Sequence, residues 1–148
     1  MRRYPKLKSV EILAQGVERF WINLQNYVYK RSLSKDLIFE NDIPSVDELD
    51  DLWTRHKPVE GVSLVRDSSY WGYRYQKHPS AQYTFHCIRK KGKLDGVIIT
   101  RLLSVRDGKY VVYIAEWMIE NYIPFGSVLS MIMDYYKNTK VEVFSFWA

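Results

Sequence analysis

The chain has 148 residues, a length that suits one ordinary domain, and carries 22 Lys and Arg against 17 Asp and Glu, a formal net charge of +5. Hydrophobic residues at 47% and charged residues at 26% exclude wholesale disorder, and no apolar run approaches the ~18–20 residues that cross a bilayer. A single cysteine, Cys87, excludes an intramolecular disulfide, and no apolar signal core follows the basic residues 1–6, so the expectation is a soluble, cytoplasmic chain.

Residues 9–31 place Val10, Leu13, Val17, Phe20, Trp21, Leu24 and Val28 three or four apart, the period of an amphipathic helix capped by Ser9. Residues 1–36 are therefore expected to form an N-terminal helical segment, and 37–148 a domain. Residues 37–39 suit a short strand, ended by Asn41, Asp42 and Pro44. Ser45 then caps a helix with Val46, Leu49, Leu52 and Trp53 on its apolar face. Asp47 and Glu48 fall in its first turn, where the helix dipole favours acids. A second helix is expected over 67–77, capped by Asp67 or Ser68 and stopped by Pro79, which disfavours helical backbone at the residue before it.

After Pro79 the period becomes alternating, with Tyr83, Phe85 and Cys87 opposite Thr84, His86 and Ile88. Lys91-Gly92 turns this strand into another over 94–105, and Asp107-Gly108 turns that one into a third over 110–119. Val128, Met131, Ile132, Tyr135 and Tyr136 mark a helix starting near Ser127, with both tyrosines on its core face. Residues 141–148 read as a final strand, parallel to the one before because a helical crossover joins them. The sum is a three-layer α/β arrangement: a mixed, mainly antiparallel sheet with helices on both faces.

Charge is unevenly placed. Residues 61–109 hold ten Lys or Arg against three acids, a zone that can attract nucleic acid, acidic lipid headgroups or a phosphorylated cofactor. The run Arg89-Lys90-Lys91-Gly92-Lys93 reads as a solvated turn, and a nucleic-acid role using Tyr73, Tyr75 and Tyr83 is disfavoured because the excess lies at turns. His56, His78 and His86 fall on different elements without metal-ligand spacing, so no metal site is expected. His78 reads as bonding helix-end carbonyls, and Cys87 as a small core residue.

This order of elements resembles the first two-thirds of the GNAT N-acetyltransferase fold. Arg66-Asp67-Ser68-Ser69-Tyr70-Trp71-Gly72-Tyr73-Arg74-Tyr75-Gln76-Lys77-His78-Pro79 is similar to the Arg-Asp … Trp-Arg-Tyr … His-Pro signature of bacterial GNAT-like proteins linked to surface-polysaccharide biosynthesis, with Tyr73 where the signature has Trp. Lys93-Leu94-Asp95-Gly96-Val97 resembles a hairpin common in the family. The resemblance implies transfer of an acetyl group from acetyl-CoA to a small-molecule amine such as an amino-sugar, with acetyl-CoA in a wedge between the fourth and fifth strands. It implies cofactor contacts from Trp117, Met118 and Ile119, and from Phe125, Gly126 and Ser127 at a helix start whose N–H groups suit a pyrophosphate. The family's phosphate loop, Gln/Arg-x-x-Gly-x-Gly/Ala, falls on 121–126, where Gly126 alone matches and Pro124 removes a donor.

Glu116 and Glu120 are the candidate catalytic carboxylates. Their spacing puts both on one strand face, with Trp117 and Ile119 on the other, and desolvation on an apolar strand suits a base working near neutral pH. The alternative is a solvent-facing Glu116, or one paired with Arg101. Arg74 and Tyr75 are the candidate substrate-binding residues; Arg74 can pair with an acidic ligand or tie its helix to the sheet. The alternative function is a non-catalytic GNAT-like domain, structural or partner-binding. The last strand is too apolar for a bare edge, and the family's further C-terminal strands are lacking, so a covering domain or chain, or a longer parent protein, is expected.

Overall fold

Two tight turns organise the sheet. In this computed structural model, which describes residues 36–146, strand β2 (Thr84–Lys90) passes into β3 (Lys93–Ser104) through Lys91 and Gly92. Their φ values of 51° and 80° give the left-handed pair whose twist matches that of the flanking strands. A second turn at Arg106–Gly108 leads into β4 (Tyr110–Ile119). Strand β1 (Leu37–Glu40) adds to β2, and all three of these pairings are antiparallel. Helix α1 (Val46–His56) and the single turn α2 (Ser68–Trp71) lie between β1 and β2 in the chain. Helix α3 (Phe125–Tyr135) carries the chain from β4 to β5 (Val141–Phe146), which runs parallel to β4 at the end of the order β1-β2-β3-β4-β5. The N-terminal helix expected over 9–31 lies outside the described residues, as do Trp147 and Ala148.

Helices cover both faces, and each face has its own core. On one, Leu49 and Leu52 of α1 and Trp71 of α2 pack on Phe85, Cys87, Val97, Ile99 and Met118. On the other, Val128, Ile132 and Tyr136 pack on Ile88, Ile98, Val112 and Ile114. Burying each large apolar side chain contributes roughly 1.5–3 kcal/mol.

The capping at α1 is the one the sequence predicts. Ser45 Oγ accepts from the Glu48 N–H, and the Glu48 carboxylate accepts from the Ser45 N–H, a reciprocal box. Asp67 likewise caps α2 by accepting from the Tyr70 N–H at 3.0 Å. The expected 67–77 helix changes character midway: α2 passes into one wider π-helical turn, Gly72–Gln76, closed by the Lys77 N–H on the Gly72 carbonyl.

Three expectations are corrected. Val46 is 63% exposed and stands off the apolar face of α1. Tyr136 enters the core, but Tyr135 is 46% exposed and packs edge-to-face with the His86 and Tyr136 rings. Arg89 is no turn residue: its guanidinium sits among the carboxylates of Glu40, Asp42 and Glu48, and this pairing draws the Glu48 carboxyl down to about 2.

Strand β4 has two unlike halves. Ile99 pairs with Glu116 and Thr100 with Ile114, so Ala115 is an extra residue with no partner, a β-bulge. Side chains on either side of it therefore change faces: Val112 and Ile114 point to the α3 core, whereas Met118 points to the α1/α2 core. Without the bulge all of these even-numbered residues would share one face. The first half is also paired with β5, from Tyr110↔Val141 to Ile114↔Phe146. Residues 115–119 have no strand on that side among the described residues.

Candidate active site

The bulge delivers Glu116 beneath α2. Its side chain is 9% exposed, and its Oε2 accepts from the hydroxyls of Tyr70, at 2.7 Å, and Tyr75. Arg66 Nε lies 2.8 Å from the other oxygen, Oε1. Its N–H is not aligned along that contact, so Oε1 is buried, ion-paired and accepts no hydrogen bond. Two phenols and a guanidinium thus offset the cost of burying a carboxylate. Burial, and then the bond to Glu116, hold both phenols above the usual tyrosine range.

The local sequence explains how these donors are placed. Trp71 is fully buried, and its indole N–H donates to the Arg66 carbonyl at 2.7 Å, which pins the backbone before α2. The Ser68 N–H donates to Asp50 on α1 at 2.8 Å, fixing the start of α2 against its neighbour. Arg66 precedes α2, Tyr70 lies on it and Arg74 on the π-helical turn that follows, and all three line the same hollow. Arg74 lies 5.7 Å from the centroids of both the Tyr70 and Tyr75 rings.

That hollow, of about 370 Å³, is lined by Leu64, Arg66, Tyr70, Arg74, Ala115, Glu116 and Trp117. A second, of about 300 Å³, adjoins it through Leu64, Arg66 and Trp117 and runs along Trp117, Met118 and Ile119 to Trp53, His56 and Pro58. Glu116 thus lines one chamber, and residues 117–119 of β4 line the next.

Glu120 does not join Glu116. Strand β4 ends at Ile119, and Glu120 sits with Asp95 on the Arg55 guanidinium, which also bonds the Leu94 carbonyl. The Tyr122 hydroxyl donates to Asp95 in the same cluster. Arg101 is not the partner of Glu116; its guanidinium lies 5.9 Å from the Tyr83 ring. Tyr75 is buried, with its hydroxyl turned inward onto Glu116, and does not line the hollow.

Of the residues expected at the cofactor, Trp117 rests its ring 5.1 Å from that of Phe125, and both meet Phe146 at 6.4 and 6.0 Å. The side chains of Met118 and Ser127 are buried. Phe125 and Gly126 open α3, where N–H groups lie beyond the helix's own ladder, and Pro124, the residue before them, has no N–H. His78 accepts from the Ser80 N–H instead of donating to a helix carbonyl. Burial pushes the Cys87 thiol up, away from nucleophilic thiolate character. Among the described residues no group of His, Cys, Asp and Glu is arranged to hold a metal ion, and no helix is long and apolar enough to cross a membrane.

A five-stranded mixed sheet with a bulged β4, a parallel β5 reached through α3 and helices on both faces is the GNAT acetyltransferase fold. Solved structures share it. An aminoglycoside acetyltransferase from an uncultured soil metagenomic sample, in complex with trehalose, matches at TM-score 0.51 and 14% identity over 78% of this chain and 79% of that one. Its complex with sisomicin matches at 0.51 and 15% over 76% and 78%. A possible acetyltransferase from Clostridium difficile 630 matches at 0.50 and 14% over 77% and 80%. No protein-family model and no curated protein matches the sequence.

Proposed function

We propose that this protein is an N-acetyltransferase that moves an acetyl group from acetyl-CoA to an amine held in the Glu116 hollow. One observation carries the reading: a buried carboxylate with an oxygen that accepts no hydrogen bond lines a hollow beside the half of β4 that has no β5 partner among the described residues. When bound, acetyl-CoA supplies an activated thioester. The edge of 115–119, without a strand on the β5 side among the described residues, offers backbone N–H and C=O groups to an extended arm, and the N–H groups of Phe125 and Gly126 suit a pyrophosphate. Glu116 takes the proton that an ammonium must lose before its nitrogen is nucleophilic. The hydroxyls of Tyr70 and Tyr75 hold the carboxylate in place. Glu120, locked on Arg55, has no part in this step. An amino-sugar acceptor in surface-polysaccharide synthesis is the finer reading, and it rests on the resemblance of residues 66–79.

A specific observation favours a second reading, a non-catalytic GNAT-like domain. Trp117, Phe125 and Phe146 pack together next to the last described β4–β5 pair, the place an acyl carrier would enter. Calorimetry with acetyl-CoA separates the two. Micromolar binding, weakened at least about tenfold by Gly126→Asp, which sets a like charge at the helix start, supports the enzyme. Absence of heat with the wild-type protein supports the scaffold.

A further inference from the structure

We infer that the acceptor is an amine carrying its own anionic group, and that this anion uncovers the Glu116 carboxylate. The inference rests on the acetyl-transfer reading of the same site. Glu116 Oε1 is the oxygen left to receive an ammonium, since Oε2 is engaged by two phenols. Yet Oε1 has no exposed surface, because the Arg66 guanidinium lies against it at 2.8 Å. Arg66 itself is 42% exposed, so its side chain can swing away without disturbing the core. Arg74, on the same wall, is exposed and has no carboxylate within ion-pair distance among the described residues.

The hollow therefore presents two guanidinium groups and one carboxylate. A simple ammonium would have to displace Arg66 from Glu116 and would leave two guanidinium charges facing its own positive charge, which is unfavourable in a partly desolvated site. An amine that also bears a phosphate or carboxylate removes both difficulties. Its anion takes Arg66 and Arg74 as partners, the departure of Arg66 opens Oε1, and the ammonium occupies the place Arg66 left. One ion pair becomes two, and the proton then passes from the ammonium nitrogen to Oε1, leaving a neutral amine beside a neutral carboxyl. A polyamine meets the opposite situation, with every added charge repelled.

The test uses matched probes: ethanolamine against O-phosphoethanolamine, hexylamine against 6-aminohexanoate, and spermidine as the polycation. Calorimetric titration of the protein without acetyl-CoA is expected to show each anion-bearing amine bound at least about tenfold more tightly than its match, an ammonium with no anion. The pair with the larger ratio distinguishes phosphate from carboxylate. Arg74→Gln should bring each pair to within about twofold, and Arg66→Gln should weaken the anion-bearing probes while preserving or improving binding of the simple ammonium ones. Equal or stronger binding of a simple ammonium probe or of spermidine overturns the inference, as does no binding by any probe. Acetylation of hexylamine as fast as 6-aminohexanoate leaves the acetyltransferase standing and sinks the anion requirement. Anion-selective probe binding with no acetyl-CoA binding keeps the ligand class and sinks the transferase.

Discussion

His86 and Glu116 are both ionisable side chains buried in one sheet, on opposite faces, and the molecule treats them in opposite ways. On the α3 face His86 is satisfied at both nitrogens: Nδ1–H donates to Asn41 Oδ1, and Nε2 accepts from the Thr100 hydroxyl at 2.8 Å, which in turn accepts from Tyr136. Aromatic rings of Phe39, Tyr135 and Tyr136 close around it, and burial lowers its pKa to about 4, so it stays neutral. On the α1/α2 face Glu116 keeps one oxygen without a hydrogen bond, against a partly exposed arginine and beside a hollow. A polar network with every group partnered specifies the fold; a network with one acceptor left over, next to open space, specifies a place for a ligand.

The contrast can be broken from either side. The largest effect is expected at Glu116→Gln, which keeps an acceptor for Tyr70 and Tyr75 but cannot take a proton. The acetyl-transfer rate, followed by release of free thiol, should fall about 10²–10⁴-fold while the melting temperature stays near that of the wild type. An unchanged rate would remove Glu116 from the chemistry.

His86 should show the reverse, a stability effect without a catalytic one. Because its folded pKa is depressed from 6.5 to about 4, the unfolded chain binds the extra proton in that window. Stability is therefore complete above pH 6.5 and declines as pH falls towards 4, by as much as about 3 kcal/mol. Urea unfolding across this range should show that decline in the wild type, and His86→Leu should abolish this component while costing about 1–3 kcal/mol at pH 7. A smaller change is expected for Tyr75→Phe, which removes one of the two phenols on Glu116: about 1–2 kcal/mol in denaturant unfolding. The smallest is Glu120→Gln, which loosens a partly buried pair with Arg55 by about 1 kcal/mol and leaves the acetyl-transfer rate unchanged. A large rate loss there would return Glu120 to the catalytic set.

Much of the frame is legible in the sequence. Ser45 and Asp67 announce their helices by their own hydrogen bonds, and Lys91-Gly92 and Asp107-Gly108 place the hairpins, because these signals are local. The site was legible only in pieces. Glu116 stood out as a carboxylate on an apolar strand, but its face did not, since the Ala115 bulge is set by pairing with β3 and leaves no trace in the alternation of β4 itself. Its company came from far along the chain: Tyr70 and Tyr75 are 46 and 41 residues away. Arg66 carries no local signal of its role, since it precedes the Asp67 cap and only the folded chain brings it to Glu116. Glu120 misled because strand spacing was extended past Ile119, where the strand stops.

The bulge separates two properties that ordinarily change together. Deleting Ala115 would let the pleat resume its two-residue beat, with Ile114 still facing α3 and Glu116 still beneath α2. What would vanish is the local kink and added twist that such an insertion imposes on its strand. A one-residue deletion is thus a way to straighten the ribbon without relocating its carboxylate, and it turns the curvature of a single strand into a variable that can be tuned by chain length alone.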